Sequence, residues 1–350
     1  MAWYKKKEVL EDFAIIVGLI GVQFVYAANS MLLSYLMSLG LSPLTIVIFS
    51  TFATFLIISP VALYFERSRW PRKITPNLAI QLVLISFGGV TLFQSLFLKG
   101  IQLTSPALAT AMPNLAPGLI FLIAWALRME KINIGCIYSK VKIMGTFLCV
   151  VGALTMSLMH SIASAKEESL LDTGPDAAFD RDKIIGCLYL IAAVFVLSSN
   201  VVLQAVTLRD FPAPMSLCAI TSIIGAIITA IVQMIQDRSF EVDWHLVRVG
   251  DLVVYSLLAG AVGGASVSFN GWALKKRGPV LVSVFSPIGT VVSVILSVIT
   301  LGDSFNIGSL AGMFIMFTGL YFVLWAKGKE GYANDNTGGS ELDTKEPLLS

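Results

Sequence analysis

The chain has 350 residues, 56% hydrophobic and 13% charged, with a formal net charge of +2 and a mean hydropathy of +0.82. Soluble domains carry roughly 25% charged residues, so the composition excludes a surface that faces water throughout, and the lipid bilayer must solvate most of the chain. The near-balanced charge offers no footprint for nucleic acid.

Residues 1–12 read as a cytoplasmic N-terminus carrying Lys5, Lys6 and Lys7. The apolar run from Phe13 to Leu36 exceeds the roughly 7–15 residues of a signal-peptide core, and no small-residue cleavage site clearly follows it. It reads as the first transmembrane span. A span needs about 20 apolar residues, and ten such segments follow in order: 13–36, 43–65, 77–98, 106–127, 142–160, 184–206, 214–235, 250–273, 279–301 and 307–326. In lipid each must satisfy its own backbone groups, which predicts helices.

Orientation follows from Lys and Arg. With the N-terminus cytoplasmic, that side receives Lys5–Lys7, the cluster Arg67, Arg69, Arg72 and Lys73, the loop with Arg128, Lys131, Lys140 and Lys142, then Arg209, Lys275, Lys276, Arg277 and the tail. This is eighteen of the 24 basic residues, so both termini are expected in the cytoplasm. All six tryptophans fall near predicted interfaces.

Residues 161–183 form an acidic, non-cytoplasmic linker, with Glu167, Glu168, Asp172, Asp176, Asp180 and Asp182. Residues 327–350 are polar and expected to be disordered. Glu346-Pro347-Leu348-Leu349 loosely resembles a dileucine sorting signal, although Thr344 stands at its usual acidic position. The four cysteines show no CxxC spacing and read as small buried hydrophobes. Two scattered histidines, His160 and His245, make no metal site. No metal and no cofactor is expected.

The halves repeat. Asn29 and Pro43 recur as Asn200 and Pro214. Phe93-Gln94-Ser95 recurs as Phe269-Asn270-Gly271. Pro106 and Glu130 recur as Pro279 and Asp303, and Gly145 and Gly152 as Gly312 and Gly319. Each pair alone is weak; four in the same order support a duplication. Five spans per half, an odd number, force the second half to cross in the opposite sense. Inverted repeats of this kind build many secondary transporters. The first half is thus 13–160 and the second 184–326.

Two stretches carry a family resemblance. One is Lys99-Gly100-Ile101-Gln102-Leu103-Thr104-Ser105-Pro106-Ala107 with Ala109-Thr110-Ala111-Met112-Pro113-Asn114-Leu115. The other is Trp272, Lys275-Lys276-Arg277-Gly278-Pro279-Val280 and Ser283-Val284-Phe285-Ser286-Pro287, closed by Gly319-Leu320-Tyr321-Phe322-Val323-Leu324-Trp325. Together these resemble two EamA domains of the drug/metabolite transporter superfamily, and in detail the plant nodulin-like UMAMIT branch. The resemblance covers about residues 10–328. Ser286, Asn270 and Asp303 depart from that branch's usual Asn, Gln and Glu. It implies an all-α membrane protein of ten transmembrane helices, as two inverted five-helix EamA repeats. It also implies a partner that is a small-molecule solute: amino acids first, auxin-like indoles or other metabolites second. The plasma membrane comes first as location, with the vacuolar membrane or endoplasmic reticulum next. Oligomeric state is left open.

Polar groups at lipid depth are costly unless paired or wetted, which marks them as site candidates. They are Asn29 and Asn200 on the first spans of the two halves, Gln94 and Asn270 on the third, and Asn114 and Ser286 on the fourth. A pseudo-two-fold axis would let them converge on one midplane cavity, walled by Trp272 and Phe93. The same amides would serve equally as interhelical hydrogen bonds of about 1 kcal/mol each. Pro113, Pro117 and Pro287 are expected helix breaks that kink the helix, freeing carbonyls for a solute or serving packing alone. Glycines at 145/152, 308/312 and 260/264 read as sites of close helix approach. No span interior holds an acid or base, so facilitated or bidirectional movement is the simpler mechanism, because proton-coupled antiport usually needs a buried carboxylate. No enzyme motif is present. The reading from another class is a non-transporting membrane scaffold or regulator.

Overall fold

The structure is a computed structural model describing residues 2–38, 43–70, 75–103, 112–127, 129, 137–168, 181–236, 249–301 and 307–336. All regular structure among them is helical. The helices are α1 (Ala2–Ser38), α2 (Pro43–Glu66), α3 (Pro76–Ser86), α4 (Phe93–Leu103), α5 (Ala116–Ala126), α6 (Ile137–Glu168), α7 (Arg181–Asp210), α8 (Pro214–Gln236), α9 (Val249–Val284), α10 (Ser286–Leu301) and α11 (Ile307–Asn336). A π-helical turn, Phe87–Leu92, joins α3 to α4, and a 3-10 turn, Met112–Leu115, leads into α5. Among the described residues, seven helical stretches are long and apolar enough to cross a membrane, with two shorter ones at Met112–Ala126 and Leu310–Ala326. The chain is an all-α membrane protein.

Helices outrun the predicted spans. α6 continues to Glu168 and α7 begins at Arg181, so both ends of the expected 161–183 linker are helical. α11 continues to Asn336, into the tail expected to be disordered. Neither extension contains proline, and a formed helix adds one hydrogen bond per residue fixed. Pro106, Glu130, Asp303, His245, the middle of the linker (169–180) and the dileucine segment lie outside the described residues.

By contact the chain divides into two units, Met1–Gln94 with Leu203–Arg277, and Ser95–Val202 with Gly278–Ser350. Each draws on both repeats.

In the first unit α2 packs antiparallel on α8. Ile58, Ala62 and Ala219 are buried together, with Phe55 and Met215 against them. The two ends of the pair are built alike. Thr45 and Ser216 each lie two residues after a helix-starting proline, and each holds a long polar side chain from the far end of the partner helix. Gln233 Nε2 donates to Thr45 Oγ1 at 2.9 Å, and Ser216 Oγ donates to Glu66 Oε2 at 2.9 Å. One turn before Gln233, Thr229 bonds to the buried hydroxyl of Thr91 in the π-helical turn, at 3.0 Å. α9 approaches α2 at Gly260 and Gly264, where an added Cβ would stand 2.8 Å from Ala53 Cβ and 2.7 Å from Ile58 Cγ1.

Glu66 also solves a capping problem. The Ala213 carbonyl accepts from Leu217 N–H at 2.9 Å, which makes Ala213 the N-cap of α8, and alanine has no side-chain acceptor to offer. Glu66 supplies it from α2, accepting from Met215 N–H at 3.2 Å and Ser216 N–H at 2.8 Å. Trp70 Nε1 donates to Ser216 Oγ at 2.8 Å. Glu66 is 4% exposed. The sequence places Glu66 past the second span; the structure makes it the buried last residue of α2. Lys142, counted among the loop bases, is 1% exposed on α6.

In the second unit α6 and α11 lie antiparallel with their backbones in contact. An added Cβ on Gly152 would stand 2.4 Å from Met316 N, and one on Gly319 would stand 2.4 Å from Cys149 N and 2.6 Å from Gly145 O. The contacts Gly145–Gly319 and Gly152–Gly312 exchange under the offset of 167 that relates the repeats. Helices that are antiparallel and swap contacts in this way are related by a two-fold axis across their lengths, which is the geometry of inverted repeats. α9 breaks at Gly278, whose φ of 80° and ψ of 170° suit glycine almost alone; Pro279 then starts a new helical segment.

Candidate functional site

In the first unit the polar groups of α1 and α9 meet. Side chains on a helix lean toward its own N-terminus, so on antiparallel helices those of the two partners lean in opposite directions. Asn270 Nδ2 donates to the Tyr26 hydroxyl at 2.9 Å. The other half of that amide, Oδ1, is buried and accepts no hydrogen bond among the described residues. The Tyr255 hydroxyl donates to Asn29 Oδ1 at 3.4 Å, a long bond. Beside Asn270, the rings of Phe269 and Trp272 lie 5.5 Å apart at 49°. The tip of Phe269 rests on bare backbone at Gly18, where a Cβ would stand 2.1 Å from Cζ. At the basic end of α9, Lys276 pairs with Glu11 at 3.3 Å, Arg277 pairs with Asp12, and Lys275 donates to the Pro212 carbonyl at 3.1 Å. The run that sets orientation in the sequence therefore also ties α9 to α1 and to the turn before α8. Gln94 is half-buried on α4.

In the second unit Asn114 is buried and accepts from the Thr290 hydroxyl at 2.8 Å. Asn200 is buried on α7 and has a partner. Ser286 is exposed at the start of α10. The three prolines depart from the kink that the sequence predicts. Pro113 lies in the 3-10 turn, Pro117 in the first turn of α5 and Pro287 in the first turn of α10. A first-turn proline lacks only an N–H that would have had no helical partner, so it starts a helix and does not bend one. The ninth span is interrupted one step earlier, at Phe285, between α9 and α10. There Ile288 N–H goes to the Phe285 carbonyl, and the Val284 carbonyl faces the Cys149 thiol at 3.9 Å.

The structure therefore joins Asn29 to Tyr255, Asn270 to Tyr26 and Asn114 to Thr290, each across two elements. Sequence reasoning missed both tyrosines and the buried Gln23, one turn before Tyr26 on α1. A tyrosine in an apolar span reads as a belt residue, and only its partner shows otherwise. No cluster of three or more potential metal ligands occurs among the described residues.

The comparisons with known proteins fit this architecture. A WAT1-related protein of Arabidopsis thaliana is 62% identical over 346 residues, covering 99% of this chain and 94% of its own. Protein WALLS ARE THIN 1 of the same plant is 31% identical, covering 91% and 85%. A protein solved by crystallography superposes with a TM-score of 0.64 over 91% of this chain and 98% of its own; at 18% identity this concerns the fold alone. The model of the EamA-like transporter family matches residues 13–158 and again residues 184–325. The chain, a multi-pass membrane protein of two tandem repeats, belongs to the EamA-like transporter family.

Proposed function

We propose that this chain moves a small organic solute, an amino acid first, across the membrane by facilitated or bidirectional alternating access. The observation that carries the reading is the Oδ1 of Asn270, a buried acceptor with no donor among the described residues. Leaving such a group unmet costs about 1–3 kcal/mol, and a solute ammonium or N–H would recover it. Asn29, Gln94, Asn114, Asn200 and Ser286 complete the proposed polar lining, with Trp272 as an apolar wall. Pro113, Pro117 and Pro287 belong to the same proposal as the points where helices break. Neutral amides suit a zwitterion, since helix-end dipoles can meet its charges.

The Phe269–Trp272 pair favours a second reading, an indole or other aromatic metabolite. A pine relative, an auxin-induced protein of Pinus taeda 29% identical over 89% of this chain and 78% of its own, does not decide between them, because induction by a compound is not its transport. The finer placement in the nodulin-like UMAMIT branch, the plasma membrane as location, and cytoplasmic termini belong to the same proposal.

The buried carboxylate of Glu66 does not by itself argue for proton coupling. Its three accepted hydrogen bonds commit it to the start of α8. Nor do the repeats serve as the moving bodies. Rocking one repeat against the other would break the α2–α8 bonds at Thr45 and Glu66 and the Thr91–Thr229 bond between the π-helical turn and α8, and part the glycine contacts of α6 and α11. Each of these pairs moves as one body.

The test is counterflow in proteoliposomes holding only this protein, preloaded with an unlabelled amino-acid mixture or an indole acid, with no pH gradient. Label accumulation with amino acids supports the first reading, and with the indole acid the second. Accumulation that requires an imposed pH gradient refutes the facilitated mechanism. No flux under any condition, from folded protein, favours the scaffold reading.

A further inference from the structure

In the second unit, α6 and α11 form a groove of about 200 Å³ lined by Val141, Met144, Tyr321, Phe322 and Trp325. The cause is the close backbone contact at Gly145 and Gly319. Where the axes touch, the bulky residues on either side must splay outward, and they leave a cleft between them. Met144 is 57% exposed and Tyr321 62%, so the cleft opens sideways. Its volume lies below the roughly 300 Å³ of sites that enclose a small molecule. An open apolar cleft of this size suits part of a flexible chain better than a whole solute.

One end of the cleft is interfacial. The Trp325 indole lies 5.8 Å from the Tyr138 ring, and Trp and Tyr mark the headgroup level of a bilayer. Lys140 is exposed on α6. It precedes Met144 by four residues and so shares its face. Its apolar stem can lie along the cleft while the ammonium stays at the surface. In the sequence, Lys327 and Lys329 follow Trp325. Basic residues beside clefts between transmembrane helices are how anionic lipid headgroups are held.

We propose that this groove binds one anionic phospholipid, an acyl chain against Val141, Met144, Phe322 and Trp325 and the phosphate on Lys140. The site is separate from the proposed solute-binding residues and rests on the membrane-spanning family, not on the solute reading. Silence in a transport assay therefore leaves it standing.

The experiment is native mass spectrometry of the full chain, released from detergent after titration with phosphatidylserine or phosphatidylcholine of identical acyl chains. The expected result is selective retention of one phosphatidylserine per chain. Lys140→Gln should weaken phosphatidylserine roughly fivefold and leave phosphatidylcholine unchanged. Met144→Trp, which fills the cleft from an exposed position, should weaken both lipids. Equal retention of the two lipids by the unaltered chain overturns the proposal, as does undiminished phosphatidylserine retention in Lys140→Gln. Because Lys140 is exposed, that variant reports on the site even where Met144→Trp disturbs folding.

Discussion

Gly152→Ala places a methyl group where two backbones already touch. Its Cβ would stand 2.4 Å from Met316 N, and 2.8 Å from both Gly312 O and Met316 Cα. Ordinary contact begins at 3.4 Å, so the misfit is about 1 Å. No side chain can swing away to relieve it, because every obstructing atom is backbone, and α6 must separate from α11. Overpacking of this kind costs about 1–3 kcal/mol, occasionally more. Alanine also gains about 1 kcal/mol over glycine in a helix, which would mask part of the loss. Gly263→Ala on α9 isolates that gain, since nothing lies within 4 Å of its Cβ. The difference between the two variants, read as equilibrium unfolding of the full chain by SDS titration in mild detergent, is predicted at about 1–3 kcal/mol. Equal stability of the two variants, within about 0.5 kcal/mol, would refute the close contact and with it the two-fold relation drawn from it.

Two further outcomes follow from the hydrogen bonds that α8 receives from its neighbours. Thr91→Val or Thr229→Val alone strands a buried hydroxyl and should cost about 1–3 kcal/mol, whereas the double variant should return close to the unaltered chain; additive losses in the same unfolding assay would deny the bond. Glu66→Ala leaves the Met215 and Ser216 N–H groups without their acceptor and should cost about 1–3 kcal/mol, with Glu66→Gln costing less than half of that. If Glu66→Ala unfolds like the parent chain, the carboxylate does not cap α8.

The long apolar segments read out the helices because lipid leaves the backbone no alternative. The glycines at 145/152 and 260/264 were legible as points of close helix approach, since only glycine permits backbones to meet, but the helix that each pair meets was not. Glu66 was illegible because its role depends on what Ala213 lacks, far away in sequence. An alanine before Pro214, where a capping side chain belongs, was the available sign. The prolines were read as kinks because sequence shows the residue and not its place in a helix; in the first turn the same ring starts one. Asn270 was singled out correctly as polar, but whether an amide is fully bonded depends on Tyr26, which lies on another helix.

The most direct measurement is counterflow per folded molecule for Asn270→Leu beside the unaltered chain. The substitution keeps the branched shape of the side chain and removes the open acceptor together with the donor to Tyr26, two changes that oppose each other in stability. A hydrogen bond to a charged solute group is worth about 1.5–3 kcal/mol, so flux at limiting solute should fall roughly tenfold or more, with unfolding stability changed by no more than about 1 kcal/mol. Unchanged flux per folded molecule, or flux that falls only as folded protein is lost, would contradict the account and leave Asn270 as a bond between helices.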